Sequence, residues 1–254
     1  MNITWLGQSG FLVEVADQRL LIDPYFSDIV ERKEGLRRLV PPPCRVEALA
    51  PHALFITHDH LDHYDPETVA AVMNTASGCR LIGPASVTAH AVRDGIPKER
   101  LTCIAPGGTF AIGPFRITGT QARHSDALAI GLLLRTPSEC LWFSGDTLYF
   151  PELAACVREL AGGPPDIAFV CINGRLGNMN LHEAARVVAE LRPRLAVPMH
   201  YGMFAENTAD PAEFRSDCDG CGVRTALLTV GHCMRTARLL DTHLHCVPSP
   251  FSSS

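Results

Sequence analysis

The feature that most constrains this chain is the segment ITHDHLDHYD, residues 56–65, which places three histidines and three aspartates directly after an apolar run. A solvated charged face is usually mixed in sign and rich in lysine and glutamate, whereas this segment contains no lysine or arginine. Carboxylates crowded together without a cation destabilise one another, and a divalent metal ion supplies the missing positive charge. We therefore interpret residues 56–65 as part of a metal site, in preference to a polar loop in which histidines cluster by chance.

The spacing within this segment predicts more than one ion. Side chains at positions i and i+2 of an extended segment point the same way, so His58 and His60 can converge on one ion. Asp62 and His63 follow after the chain has turned and can face a second ion. Two ions about 3.5–4 Å apart are the usual arrangement when a bridging water is activated for hydrolysis.

A single segment cannot complete two coordination shells, so further ligands are expected at the ends of other strands. His124 ends FRITGTQARHS, Asp146 ends CLWFSGDT and His200 ends RLAVPMHYG. Each of these residues, taken alone, could equally be a surface residue or a satisfied core residue. Loops at strand ends carry function, and three ligand-type residues at three strand ends together indicate one shared metal site.

The remaining pattern alternates strands and helices. The predicted strands are 2–6, 11–16, 19–23, 53–57, 79–84, two hairpins within 109–122 and 128–147, and then 166–172, 195–199 and 224–230. The predicted helices are 65–76, 85–95, 151–161, 181–191 and 211–217. Two sets of strands, each followed by helices, predict an α/β fold of four layers, an αββα sandwich. We expect one domain over 1–247 and a disordered tail over 248–254.

An irregular segment, 28–49, interrupts this pattern near the beginning of the chain. It is rich in charged residues and then in proline. Long segments without a secondary-structure pattern tend to be functional or mobile. We interpret it as a lid or a surface loop.

Composition excludes several function classes. The chain has 254 residues, is 46% hydrophobic and carries a formal charge of −5, which argues against nucleic acid as a partner. No apolar run approaches the length of a membrane span, and the first residues, MNITWLGQSG, lack the basic region of a secretory signal. We therefore expect a cytoplasmic protein. Its ten cysteines are then expected to be free thiols instead of a disulfide framework.

Residues 218–221, CDGC, could form a structural zinc site with His232 and Cys233. The second pair is adjacent instead of spaced, and Cys233 falls in a predicted strand. Free thiols are therefore the favoured interpretation.

The motifs THDHLDHYD, ARHS, SGDT and PMHYG, in that order, resemble the metallo-β-lactamase superfamily. The resemblance extends from TWLGQSGFLVE to the last predicted strand. Two further stretches, LLIDPYF and INGRLGNMNLHEAARVVAELRPRLAVPMHYGMF, look most like the L-ascorbate-6-phosphate lactonase branch. The resemblance implies the αββα sandwich and two divalent metal ions, and related lactonases form homo-oligomers.

Carried onto matching positions, the resemblance implies a set of metal ligands. One ion would be bound by His58, His60 and His124, the second by Asp62, His63 and His200, and both by Asp146. Asp62 and Asp146 would also be catalytic residues. Asp62 can hold a proton of the attacking water, and Asp146 would bind both ions. The lactonase branch is associated with manganese and the wider superfamily with zinc, and nitrogen and oxygen ligands accept zinc, manganese or iron.

The loop CINGRLGNMN, residues 171–180, is the predicted substrate-binding segment. Asn173, Arg175 and Asn178 are the predicted contacts, with Arg175 and the backbone amides binding phosphate. An equally good interpretation is a glycine-rich turn whose asparagines cap the next helix. In that case Asn180 and Glu183 form a capping box.

Three other polar residues near the candidate ligands have two interpretations each. Arg123 can bind a substrate anion or form a surface salt bridge. Tyr201 is predicted to donate a hydrogen bond to substrate as a catalytic residue, in preference to packing alone. Asp59 can orient a ligand histidine or stabilise the loop.

The sequence thus predicts a metal-dependent hydrolase acting on a small polar substrate, with a phosphorylated sugar lactone as the leading candidate. A phosphodiesterase is the enzymatic alternative, because the same activated water cleaves P–O bonds. A non-catalytic metal-binding or regulatory module is the alternative from another class. The presence of all the candidate ligands argues against the latter. Neither nucleic acid nor a membrane is an expected partner.

Overall fold

The computed structural model describes residues 1–241. The predicted tail over 248–254 and the predicted domain end at 247 lie outside the described residues. None of the helices in the described part of the chain is both long and apolar enough to cross a lipid bilayer.

The described residues form two sets of strands with helices after each set. The strands are β1 Asn2–Gly7, β2 Gly10–Val15, β3 Gln18–Ile22, β4 Ala53–Phe55, β5 Arg80–Gly83, β6 Leu101–Cys103, β7 Thr109–Ile112, β8 Phe115–Gln121, β9 Ile130–Arg135, β10 Cys140–Phe143, β11 Ile167–Cys171, β12 Leu195–Met199 and β13 Cys233–Arg235. The helices are α1 Ile29–Glu34, α2 Pro66–Thr75, α3 Ala85–Arg93, α4 Leu153–Ala161, α5 Leu181–Leu191, α6 Pro211–Gly220 and α7 Thr236–Leu240. Short 3₁₀ turns cover Val46–Ala48 and Lys98–Arg100.

The two sheets are mixed and have similar internal organisation. The first has the order β13-β1-β2-β3-β4-β5-β6, and the second has the order β12-β11-β10-β9-β8-β7. In the first sheet β13 to β3 are antiparallel and β3 to β6 are parallel. In the second, β12 to β10 are parallel and β10 to β7 are antiparallel.

Three apolar clusters fill the spaces between the four layers. The central cluster lies between the sheets, where the Phe11 ring of β2 contacts Phe143 and Phe169 at centroid distances of 5.2 and 5.0 Å. A second cluster lies between the second sheet and the helices α4 to α6, and a third lies between the first sheet and the helices α2 and α3. Burial of apolar area on both faces of each sheet holds helices outside and sheets inside. The predicted αββα sandwich is confirmed.

Two predicted helix starts are also present as expected. The Asp65 side chain accepts hydrogen bonds from the backbone N–H groups of Glu67 and Thr68, and Pro66 occupies the first helical position of α2. Asn180 and Glu183 form a reciprocal capping box at the start of α5. Asn180 therefore has a structural role that its sequence context accounts for.

The predicted strand over 224–230 is wrong. This segment makes a single β-bridge to β12, through the Ala196 N–H to the Arg224 carbonyl at 2.8 Å and the Ala226 N–H to the Ala196 carbonyl at 3.0 Å. Alternate residues of a strand present their backbone groups to the same side, so Pro198 is the β12 residue that would make the next hydrogen bonds to this segment. Because proline has no N–H to donate, the pairing stops after one bridge. The last strand of the first sheet is instead β13, which pairs with β1.

The segment over 28–49 begins with α1 and then crosses the molecule as an irregular strap. The Leu39 N–H donates to the Met203 carbonyl at 2.8 Å, and Arg38 forms a β-bridge with Phe204. Leu36 packs on the same small apolar cluster as Leu61, which lies between two candidate ligands. The strap therefore connects the histidine-rich loop with the loop that follows β12.

Candidate metal centre

The strand ends that carry the candidate ligands meet at one edge of the sandwich. The strands β8, β10 and β12 run in the same direction through the second sheet, so their carboxyl ends share an edge. The loop after β4 reaches that edge from the first sheet. The seven predicted ligands form three overlapping groups in which the ligand atoms lie within 4.8 Å of one another.

The first group consists of His58, His60 and His124, and we call it the three-histidine group. The His60 Nδ1 atom lies 3.0 Å from His58 Nε2 and 3.1 Å from His124 Nε2. Three ring nitrogens thus face one another around a common point.

The hydrogen-bond partners of the outer ring nitrogens determine whether the inner ring nitrogens carry a proton. The His124 Nδ1–H donates to the Gly177 carbonyl at 3.0 Å. In the neutral ring, His124 Nε2 therefore carries no proton and has a free lone pair. The Thr57 hydroxyl donates to Asp23 Oδ2 at 2.6 Å, so it must accept from His58 Nδ1 at 3.0 Å. His58 Nε2 therefore also has a free lone pair, which is directed toward the centre of the three-histidine group.

The second group consists of Asp62, His63 and His200, and we call it the carboxylate group. His200 Nε2 lies 3.4 Å from Asp62 Oδ2, and His63 Nε2 lies 3.6 Å from the same oxygen. Asp146 lies between the two groups: its carboxylate oxygens are 3.1 Å from His200 Nε2, 3.3 Å from His63 Nε2 and 4.0 Å from His124 Nε2.

The donor set matches divalent metal ions. Neutral imidazole nitrogens and carboxylate oxygens bind zinc, manganese and iron. Two buried atoms of the site, His63 Nε2 and Asp146 Oδ1, lie 3.3 Å apart but form no hydrogen bond of good geometry with each other or with another group in the described residues. Buried polar atoms in native proteins are normally paired. A cation at each group would satisfy these atoms and the mutually facing lone pairs. The residues therefore fit the two ions that the sequence predicts.

The charges of the carboxylate group shift the pKa values of its histidines upward. Burial alone would lower the pKa of His200, but Asp146 and Asp62 outweigh this effect and raise it to about 9. Burial opposes protonation of His63 in the same way, and Asp146, Asp62 and Asp23 raise its pKa well above the ordinary value. In the three-histidine group, burial and neighbouring histidines lower the pKa of His58 and of His60.

Asp23 is a supporting residue that the sequence reasoning did not identify. Its carboxylate is 1% exposed and accepts from the His63 Nδ1–H at 2.8 Å and from the Thr57 N–H at 2.8 Å. A carboxylate behind a ligand histidine selects the tautomer and orients the ring. The available signal was an aspartate directly after the buried strand in LLIDPYF.

Gln8 is the second supporting residue that was missed. It lies in the turn between β1 and β2, and its side-chain amide donates to Asp62 Oδ2 at 2.8 Å. The only sequence signal was a polar residue inside the turn motif GQSG, which turn chemistry alone explains.

Asn173 and Asn178, predicted as substrate contacts, are directed inward. Asn178 Nδ2 donates to Asp146 Oδ2 at 2.7 Å and to Asn173 Oδ1 at 3.0 Å, and Asn173 Nδ2 donates to Asn207 Oδ1 at 2.7 Å. Asn173 and Asn178 are each 4% exposed. This placement favours orientation of Asp146 over direct contact with substrate.

The other predicted substrate and catalytic contacts differ in placement. The Arg123 guanidinium lies 4.2 Å from the Phe150 ring and 3.7 Å from Glu152, which is the surface salt bridge alternative. The Tyr201 ring packs against Trp5 at a centroid distance of 5.0 Å, and burial raises its pKa. Arg175 is exposed on the loop whose Gly177 carbonyl contacts His124.

Asp59, although it lies between two candidate ligands, is directed away from the metal centre. Its carboxylate pairs with His90 and lies 3.6 Å from Arg93, both on α3. Its N–H donates to Asp126 Oδ2 at 3.1 Å, and this oxygen also accepts from Ser86. These contacts support loop stabilisation instead of ligand orientation.

The CDGC segment shows no metal-binding cluster within the part of the chain that the structure describes. Cys218 is buried in α6, whereas Cys221 and Cys233 are exposed, and all three are free thiols.

Comparison with known proteins relates this site to metal-dependent enzymes. Residues 18–201, which include all seven candidate ligands, match the model of the β-lactamase superfamily domain. A UPF0173 metal-dependent hydrolase from Pyrobaculum calidifontis is 33% identical over 220 residues, covering 85% of this chain and 91% of the relative.

Two solved structures share the fold. The metallo hydrolase Igni18 from Ignicoccus hospitalis is similar with a TM-score of 0.72 and 23% identity, over 92% of this chain and 97% of that one. CmlA, a diiron β-hydroxylase from Streptomyces venezuelae, is similar with a TM-score of 0.72 and 16% identity, over 92% of this chain and 54% of that one. Proteins with different reactions thus share this fold, so fold alone does not determine the reaction.

Proposed function

Because the chain belongs to the metallo-β-lactamase superfamily and, within it, to the UPF0173 family of metal-dependent hydrolases, we propose that it is a dinuclear hydrolase of a small polar substrate. The observation that carries this proposal is the convergence of seven nitrogen and oxygen ligands from four separate segments on one site. Two divalent ions bound there would supply a water of lowered pKa and polarise the scissile bond.

The ligands divide between the two ions. The three-histidine group would hold one ion, the carboxylate group would hold the other, and Asp146 would contact both. The supporting residues keep the ligands in the correct form: Asp23 keeps the proton of His63 on Nδ1, and Asn178 holds one oxygen of Asp146. Such support commonly accounts for ten- to hundredfold, roughly, in metal affinity or activity.

Asp62 is the proposed hydrogen-bond acceptor for the attacking water. Its side chain is 17% exposed, whereas that of Asp146 is 4% exposed. Asp62 therefore has the better access to solvent and substrate, and we propose that its carboxylate accepts a hydrogen bond from the attacking water.

For the substrate, we propose a phosphorylated sugar lactone. Arg175 is exposed and forms no ion pair with any other residue in the described part of the chain. It lies two positions before Gly177, whose carbonyl contacts His124. A substrate whose carbonyl reaches the metal centre could therefore place an anionic group at Arg175, where a guanidinium binds phosphate well.

The test of the reaction is a substrate panel. The protein is stripped of metal, reconstituted separately with zinc and with manganese, and assayed against lactones, phosphodiesters and thioesters. We expect metal-dependent turnover of a lactone. Turnover of phosphodiesters alone would support the phosphodiesterase instead, and full metal occupancy without any turnover would support a binding module.

The test of the substrate contact is Arg175→Ala, with Arg186→Ala as the matched control. Arg186 is exposed on α5 and pairs with Glu190 at 3.0 Å. Arg175→Ala should lose a charged hydrogen bond of about 1.5–3 kcal/mol. This loss should raise KM for the phosphorylated lactone about tenfold or more and leave KM for the unphosphorylated lactone unchanged. Equal KM values for the two arginine variants would contradict the contact.

A further inference from the structure

We propose that Gln8 is a positioning residue that fixes the Asp62 and His200 side of the metal centre and thereby determines the affinity of that side for its ion. The inference rests on the proposed dinuclear function. Gln8 lies outside residues 18–201, which match the superfamily domain.

The turn that carries Gln8 has an unfavourable backbone. Gln8 has φ of 51° and follows Gly7, which has φ of 96°. A side chain at Gly7 would also place its Cβ 2.7 Å from Met203 Cε. The left-handed region is unfavourable for residues other than glycine, and such strain occurs preferentially at functional sites.

Gln8 contacts both the backbone and the side chains of the carboxylate group. Its carbonyl accepts from the His200 N–H at 3.0 Å, and its Nε2 atom lies 3.1 Å from His200 Nε2. Its Nε2 also donates to Asp62 Oδ2 at 2.8 Å. His200 itself has φ of 61°, so the hydrogen bond that its N–H donates to the Gln8 carbonyl helps to hold an otherwise unfavourable backbone conformation.

The orientation of the Gln8 amide follows from its partner. An ionised carboxylate can only accept, so the nitrogen of the amide must face Asp62. The Oε1 atom is then left buried without a hydrogen-bond partner. Because an unpaired buried acceptor is destabilising, packing alone does not account for glutamine at this position, whereas its contact with Asp62 does.

Ser9 provides a matched control in the same turn. It is 1% exposed, and its hydroxyl is buried without a partner. Ser9→Ala therefore changes a buried polar side chain beside Gln8 without removing a hydrogen bond to the metal centre.

The experiment is a zinc titration of the metal-stripped protein for wild type, Gln8→Met, Gln8→Ala and Ser9→Ala. Methionine has nearly the volume of glutamine and removes the donor, so it is the variant least expected to disturb folding. Circular dichroism and thermal unfolding of each metal-stripped variant establish that the fold is intact.

We expect wild type and Ser9→Ala to bind two equivalents of zinc with the same two affinities. In Gln8→Met and Gln8→Ala, one equivalent should bind about 10- to 100-fold more weakly, and the other should be unchanged. Zinc-loaded crystals of Gln8→Met should lose occupancy beside Asp62 and His200, not in the three-histidine group.

Two results would overturn the inference while the proposed function stands. They are wild-type affinity for both equivalents in Gln8→Met, or an equal loss of affinity in Ser9→Ala and Gln8→Met. Binding of fewer than two equivalents by wild type would contradict the dinuclear function and this inference together.

Discussion

The two halves of the candidate metal centre, the three-histidine group and the carboxylate group, are built on different physical principles. In the first, neutral rings donate their outer protons to a hydroxyl and a carbonyl and present lone pairs inward. In the second, histidines lie beside ionised carboxylates that raise their pKa values. The first half is therefore prepared for a cation, whereas the second half must exchange protons for one.

This difference also appears in the backbone. His200 of the carboxylate group and its supporting residues Gln8 and Asp23 all have positive φ values, 61°, 51° and 39° respectively. No member of the three-histidine group is among the positive-φ residues of the described chain. Strained backbone persists only where surrounding contacts determine it, so the carboxylate half depends more on its neighbours.

The largest expected effect is that of Asp146→Asn, because Asp146 contacts both halves. We expect hydrolysis to fall to background while the protein stays folded, since asparagine has nearly the shape of aspartate but lacks the negative charge of a carboxylate ligand for a divalent ion. Activity assays and circular dichroism check this outcome. Full turnover in this variant would rule out a dinuclear mechanism.

His60→Ala and His200→Ala test whether the halves are separable. Each variant should lose hydrolysis, because both ions are required for the proposed activation of water. We expect each to retain one equivalent of metal, measured by elemental analysis after dialysis. If His60→Ala loses both equivalents, the two halves do not bind independently.

Asp23→Asn should weaken metal binding about 10- to 100-fold, because the outer-shell carboxylate of His63 is lost. The matched control is Asp17→Asn, at an exposed position in the turn between β2 and β3. A zinc titration measures both variants. Equal affinities in the two variants would contradict the orienting role of Asp23.

The pH dependence of metal affinity should differ between the halves. The pKa of His200 is raised to about 9, so this ring carries a proton below that pH and must lose it to bind a metal. The affinity of the carboxylate half should therefore fall about tenfold per unit as the pH decreases from 8 to 6, for each displaced proton.

The three-histidine half should show a weaker dependence over the same range, because the pKa values of His58 and His60 are lowered. Competition titrations against a chelator at several pH values give both constants. Identical slopes for the two constants would contradict the difference between the halves.

The smallest expected effect is that of Asp59→Asn. Its pairs with His90 and Arg93 are partly exposed, and such pairs contribute about 1 kcal/mol or less. We expect a small decrease in the free energy of unfolding, by urea titration, with kcat/KM and metal content unchanged. A large loss of metal would instead assign Asp59 to ligand orientation.

Much of the fold was predictable because its local signals agree with its tertiary structure. Alternating and apolar runs predicted units such as the hairpin of β7 and β8, and Asp65 with Pro66 predicted the start of α2. The prediction of a strand over 224–230 was wrong because an apolar run does not reveal which strand it would pair with. The ladder of this segment ends at Pro198, which is distant in sequence.

The candidate ligands were predictable for a related reason. Histidines and aspartates at strand ends are visible in the sequence, and strand direction brings their loops together. Asp23, Gln8 and Asn178 act through single hydrogen bonds to ligands from other segments. Such contacts depend on the relative placement of loops, and no local pattern encodes them.

The most direct measurement of the central claim is anomalous diffraction from crystals soaked in zinc. Two peaks about 3.5–4 Å apart are expected, one beside His58, His60 and His124 and the other beside Asp62, His63 and His200, with Asp146 between them. A single peak, or peaks out of reach of Asp146, would contradict the account.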